Sequence, residues 1–288
     1  MFPIITGMIK GVFYSHFGCD PYFNMAADEW LFARGCVLPG SVFLRLYTWN
    51  TGTITFGANQ KLETALDMSK IGDTPLIRRI TGGRALFHDP SEITYCIVIN
   101  REGLLNSAIN TSQPVLYEAI SHGLVCFLRQ LGIEADYCRR SAARNAHRDF
   151  FNRAPCFASH AKYEVISGNG KLVASAARRY GATILQHGAI KIGGLVHHPA
   201  LNFGDTLQQS VDVDPQPVAR GKFEMAAKVL CKQMSECLQV RFQSQQFSPE
   251  EVTEVFRQSE TLNKKALIRR DSFKHRSCTI SLLHSGCK

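Results

Sequence analysis

Apolar and polar positions alternate along this chain in blocks that read as short strands and long helices. The stretch "NMAADEWLFARG", Asn24 to Gly35, has helical spacing and predicts a helix stopped at Gly35. "SVFLRLYTW" and "GTITFG" predict two strands near a turn at Asn50-Thr51-Gly52. "PLIRRI" predicts a strand that runs into Thr81-Gly82-Gly83, and "EITYCIVIN" predicts a buried strand rich in β-branched residues. Ser112-Gln113-Pro114 opens a helix whose apolar face is Leu116, Ile120, Leu124, Phe127, Leu128 and Leu131, closed by Gly132.

The second half continues the mixture. "KYEVIS", a turn at Gly168-Asn169-Gly170, "KLVASAARR" and "ATILQHGAIKIG" predict consecutive antiparallel strands. A long helix is expected around Phe223 to Leu238. Ser248-Pro249-Glu250-Glu251 has the spacing of a capping box and starts another. Regular patterning ends near Asn263. Residues 1–263 are therefore read as one domain, and 264–288 as a basic, mobile tail. Hairpins outnumber strand-helix-strand units, which predicts an α+β fold on a largely antiparallel mixed sheet flanked by helices.

Composition narrows the function classes. The chain has 288 residues, 45% of them hydrophobic and 20% charged, which excludes a disordered chain. No apolar run is long enough for a membrane helix. "MFPIITGMIK" lacks a basic start and is broken by Pro3 and Gly7, so a signal peptide is not expected and a cytoplasmic location is. The ten cysteines have irregular spacing with no Cys-x-x-Cys, which predicts reduced thiols, mostly small buried hydrophobes, and no metal site. The net charge is +9, of which the tail contributes +6 through seven Lys/Arg and one Asp. A second basic stretch, Arg139 to Arg153, has five Arg and one Asp. Both favour acidic partners. Nucleic acid ranks last among these, since only Phe150 and Phe151 interleave with the arginines.

Three segments can carry chemistry. In "RRITGGRALFHD" the glycines Gly82 and Gly83 allow a sharp turn and close approach of a ligand, with Arg79, Arg84 and His88 able to hold an anionic or carbonyl group. The spacing fits neither a Walker loop nor a dinucleotide fingerprint. A glycine hairpin with solvated arginines is the alternative. In "GNGKLVASAARR" strand alternation puts Val173 and Ser175 on the side of Lys171, and small residues leave room for a ligand. Cys156, in "APCFASHAKYEV", is either a nucleophile activated by a nearby Lys ammonium or one more buried thiol. Spacing alone does not bring Cys156 and Lys171 together.

Taken in order, "NMAADEWLF", "LRLYTWNTGTITFGANQ", "RRITGGRALFHD", "KLVASAARR" and "LQHGAI" resemble the biotin/lipoate protein ligase catalytic-domain superfamily, whose fold is class II synthetase-like. Within it, "TGGRA" and "PCFASHAKYEV" resemble the octanoyltransferase branch of the LipM type. The resemblance implies transfer of octanoate from octanoyl-acyl carrier protein to a lysine of lipoyl domains, carried by E2 subunits or the glycine cleavage H protein. It implies a thioester on Cys156, with Lys171 lowering the thiol pKa and stabilising the oxyanion. Arg79, Gly82, Gly83, Arg84, His88, Ser175, His187 and Gly188 become substrate-binding positions. No cofactor is implied. The rivals are an ATP- and Mg-dependent lipoate ligase, an amidotransferase between lipoyl domains, and a degenerate acyl- or partner-binding module. Two positions depart from the family pattern: Ala174 replaces a usual Gly and Ala177 a usual Gln, both beside the expected acyl pocket.

Overall fold

The computed structural model describes residues 9–104, 112–138, 164–167, 170–193, 198–201 and 216–263. Its centre is a six-stranded sheet in the order β10-β11-β6-β2-β1-β12. The strands are β1 (Ile9–Cys19), β2 (Val42–Trp49), β6 (Ile93–Asn100), β10 (Val173–Tyr180), β11 (Thr183–Ile190) and β12 (Val240–Ser244). Pairing is antiparallel from β10 through β11 and β6 to β2, then parallel from β2 to β1 and β12. A second sheet, β4-β3-β5, is built from β3 (Thr53–Phe56), β4 (Leu76–Arg78) and β5 (Leu86–His88). A third, β7-β8-β9, comprises Asp136–Tyr137, Val165–Ser167 and Gly170–Lys171. This is the expected α+β architecture with a largely antiparallel mixed sheet.

Helices cover both faces of the large sheet. On one face α3 (Gln113–Gln130) and α4 (Arg220–Leu238) pack Leu116, Ile120, Leu124, Phe127, Leu230 and Met234 against Leu44, Leu46, Tyr95 and Ile97. On the other, α1 (Pro21–Val37) lays Ala26, Ala27, Trp30 and Leu31 on Phe43, Tyr47, Cys96, Val98 and Leu185. Covered twice, β2, β6 and β11 are buried at every position, and that is why they read as nearly continuous apolar runs. The short helix α2 spans Leu62–Ala65, and α5 runs over 249–263. The α5 capping box forms as its spacing predicts: Ser248 Oγ accepts from the Glu251 amide and Glu251 Oε2 accepts from the Ser248 amide.

Two expectations need correction, the end of the first helix and the burial of the cysteines. The first helix does not stop at Gly35 but continues to Val37. Gly35 is there because the helix lies on the sheet: a Cβ would stand 2.7 Å from Val98 Cγ1, and the Gly35 carbonyl accepts from Asn100 Nδ2 at 2.8 Å. The two strands expected beside Asn50-Thr51-Gly52 are present as β2 and β3 and belong to different sheets. β1, β5 and β12 carry weak periodicity and were not foreseen. Of seven described cysteines only Cys96 is buried. The basic stretch Arg139–Arg153, Gly168, Asn169 and the tail 264–288 lie outside the described residues. Among the described residues no helix is long and apolar enough to cross a membrane.

Candidate active site

The β4–β5 connection, Arg79 to Ala85, folds from the small sheet over the α1 face of the large one. Gly83 has φ +89°, a backbone state that favours glycine. The loop also needs Gly57: a Cβ there would lie 2.1 Å from the Gly83 carbonyl oxygen. Ala58 N–H donates to the Thr81 carbonyl at 2.8 Å. Arg79, only 6% exposed, sits under the turn and donates from Nη2 to the carbonyls of Gly82 and Arg84. Its guanidinium is thus a structural clamp on the glycine turn.

Between this loop and the sheet lies a cavity lined by Met25, Tyr47, Arg79, Leu86, His88, Thr94, Ala174, Ala176, His187, Gly188 and Ala189. Its empty space of about 310 Å³ includes open solvent. Met25, Leu86 and the three alanines form the apolar wall. Arg79, His88, Thr94 and His187 supply the polar positions.

Each histidine is held by a hydrogen-bond relay. In the first, Arg79 Nη1 donates to Thr55 Oγ1 at 2.8 Å, and Thr55 Oγ1 lies 2.7 Å from His88 Nε2. His88 Nδ1 bonds Glu92, which is also paired with Lys191. Lys191 Nζ reaches Asp89 at 3.3 Å as well. Burial pushes the His88 pKa below its ordinary value against the pull of Glu92, so the ring is neutral. Burial would raise the Glu92 carboxyl, but His88 and Lys191 outweigh it and hold it at about 2. Trp49 stacks on His88 with centroids 4.2 Å apart.

In the second, His187 Nε2 lies 2.8 Å from Thr81 Oγ1 and Nδ1 lies 2.9 Å from Asp28 Oδ2. Asp28 is buried in α1, where it also accepts from Tyr47 Oη at 2.8 Å and Arg45 Nη1 at 2.9 Å. Burial would raise the Asp28 pKa, yet the His187 hydrogen bond and the Arg45 guanidinium bring it below the usual value. Arg45 is fully buried and stacks over Tyr47, 4.0 Å from the ring centroid. In neutral His187 the carboxylate selects the Nδ1–H tautomer, and Nε2 then accepts from Thr81.

The expected site residues divide clearly. Arg79, His88, His187 and Gly188 meet at the cavity, beneath the Gly82-Gly83 turn. Arg84 is half-buried and contributes its carbonyl to the Arg79 clamp. Ser175 is turned away, its hydroxyl 2.8 Å from Tyr95 Oη in the core beneath α3 and α4. The strand breaks at Leu172, so alternation through Lys171 does not run unbroken into β10. Instead Ala174 and Ala176 face the cavity. Ala174, one of the two departures from the family pattern, therefore narrows it, whereas Ala177 is not part of its wall. Lys171 Nζ forms an ion pair with Glu164 at 2.7 Å, its side chain 1% exposed. Cys156 lies outside the described residues. Sequence reasoning missed Asp28, Arg45, Thr55, Thr81, Glu92 and Lys191. Arg45 and Asp28 were visible as charges inside apolar segments, which is a signal for buried pairing.

Comparisons with known proteins bear on the family and the fold. Residues 20–259 match the family model "Lipoyl protein ligase A/B catalytic domain". The chain is 40% identical over 170 residues to an octanoyltransferase LipM of Clostridioides difficile, covering 58% of this chain and 60% of that one. It is 36% identical over 174 residues to the LipM octanoyltransferase of Moorella thermoacetica, covering 59% and 61%. The matches thus span about three fifths of these curated relatives. Among solved structures, a lipoate protein ligase of T. acidophilum with bound lipoic acid superposes with a TM-score of 0.62 at 19% identity, covering 88% of this chain and 95% of that one. A lipoate-protein ligase A bound with ATP does so at 0.62 and 21%, covering 87% and 94%. Fold and family model converge, and the chain belongs to the lipoyl protein ligase A/B catalytic domain family.

Proposed function

We propose that the chain is an octanoyltransferase that moves octanoate from octanoyl-acyl carrier protein to a lysine of lipoyl domains, on E2 subunits or the glycine cleavage H protein. The observation that carries the reading is the cavity itself. Its apolar wall of Met25, Leu86, Ala174, Ala176 and Ala189 suits an acyl chain, and its polar positions suit a reacting carbonyl. Identity to octanoyltransferases supports this acyl group and reaction.

In this reading the Cys156 thiolate attacks the thioester carbonyl, the carrier thiolate leaves, and octanoyl-Cys156 forms. The Nζ amine of the acceptor lysine then attacks that carbonyl, the amide forms, and the Cys156 thiolate is released as the amine loses its proton. One thioester replaces another in the first step, so no ATP enters. Lys171 supplies positive charge to the thiolate, with Glu164 fixing the ammonium. The Arg79-clamped turn and His187 shape the carbonyl end. The basic composition suits acidic carrier and lipoyl domains.

The test is intact-protein mass spectrometry after incubation with octanoyl-acyl carrier protein and no ATP. The expected result is an octanoyl adduct that hydroxylamine removes and Cys156→Ser lacks. Absence of an adduct, with lipoyl-domain modification appearing only on addition of ATP, magnesium and free acid, would overturn the reading in favour of a ligase.

A further inference from the structure

The faces of α3 and α4 carry a cluster on the side of the large sheet away from the cavity. His122 and Cys126 stand four residues apart on α3 and therefore share one face. Their Nε2 and Sγ atoms are 3.7 Å apart. The third member, Cys237, comes from the last turn of α4. The donor atoms of all three lie within 4.8 Å of one another. Among the described residues this is the one group of three or more His, Cys, Asp or Glu side chains gathered so closely.

Gly123 explains why the two helices meet here. A mid-helix glycine costs about 1 kcal/mol relative to alanine. A Cβ at Gly123 would lie 2.8 Å from Met234 Sδ and 3.6 Å from Cys237 Cβ. The glycine thus admits α4 at the distance that sets the Cys237 thiol beside the Cys126 thiol.

We propose that His122, Cys126 and Cys237 bind a thiophilic, tetrahedral divalent cation of the zinc class, clamping α3 to α4. Ideal zinc–sulfur and zinc–nitrogen bonds put the two donors about 3.6 Å apart across a tetrahedral edge, close to the spacing present. Two sulfurs and one imidazole disfavour calcium and magnesium, which take oxygen ligands. His122 is exposed and both thiols are half-buried, so the ion has an entry path and solvent can take the fourth position. On binding, each thiol releases its proton to solvent as Sγ bonds the cation. The site is independent of the acyl-transfer reading, since it lies on the other face of the sheet.

The experiment uses the untagged full chain, reduced and stripped of metal, titrated with cobalt and then zinc. The expected result is one equivalent of cobalt with sulfur-to-metal absorption and four-coordinate d–d bands, displaced by zinc. Zinc should also abolish alkylation of Cys126 and Cys237 in the wild-type chain, mapped by peptide mass spectrometry, a readout that needs no variant. Cys237→Ala should lose the cobalt bands while its metal-free circular dichroism stays unchanged. The proposal is overturned if no four-coordinate spectrum forms or if protection falls on other cysteines instead. It is equally overturned if the Cys126–Cys237 pair, once reduced from a disulfide, takes up no metal.

Discussion

Two relays face the same cavity, and both end on the same glycine turn. One runs from Glu92 through His88 and Thr55 to Arg79, which grips the turn by the carbonyls of Gly82 and Arg84. The other runs from Asp28 through His187 to Thr81, at the head of the turn. Each has a hydroxyl, an imidazole, a carboxylate and a buried cation. They differ in reach. The His88 relay is drawn from residues 55–92 with Lys191 added, whereas the His187 relay joins side chains 159 positions apart. The first ties the loop to its own small sheet, and the second ties it to the large sheet and α1. Fixing both ends sets the turn over the cavity, which one relay alone would leave free to pivot.

The comparison can be broken most severely at the cations. Lys191→Met leaves Glu92 and Asp89 buried without a positive partner and should cost about 3–5 kcal/mol in chemical denaturation. Arg45→Met should cost less, because Asp28 keeps its hydrogen bonds with Tyr47 Oη and His187 Nδ1. Equal losses would show that the two relays are energetically alike. Acid should act next. Glu92 is held at about 2 against 4.5 unfolded, so its stabilisation is complete above pH 4.5 and is lost as pH falls toward 2. Up to about 3 kcal/mol should disappear over that window. Neutral, buried His88 adds to the loss from its ordinary value of 6.5 downward, since only the unfolded chain then protonates readily. A Glu92→Gln variant should lack the lower-pH part in acid-unfolding curves.

Smaller changes sharpen the picture at the turn. Gly57→Ala pushes a Cβ into the Gly83 carbonyl and should destabilise by about 1–3 kcal/mol while sharply lowering the proposed acyl transfer. Thr81→Val keeps the shape but leaves His187 Nε2 without its donor, for about 1 kcal/mol of stability. Its transfer rate should fall by more than that loss explains. A rate unchanged at saturating donor would mean that Arg79 holds the turn unaided.

Much of this molecule was legible beforehand. "EITYCIVIN" is a fully buried strand, the helix from Gln113 buries the stripe the spacing marked, and Ser248-Pro249-Glu250-Glu251 caps a helix. Such features are local, depending on neighbours within a turn or a strand. The paired glycines were legible as a turn for the same reason, and the resemblance added the His187-Gly188 pair. Ser175 shows where the reasoning failed. Alternation was extended through Leu172, but there the chain passes from the small β7-β8-β9 sheet to the large one, and Ser175 turns to Tyr95.

By itself the sequence determined the α+β class, most strands and helices, the family and the segments that build the cavity. Periodicity, capping and turn chemistry are written in adjacent residues. Tertiary structure alone decided that Asp28 meets His187, that Lys191 neutralises Glu92, that Gly35 serves helix-to-sheet contact, and that Cys237 comes to His122 and Cys126. These pairings depend on which faces pack together, and burial then forces each charged or polar group to find its partner across the fold.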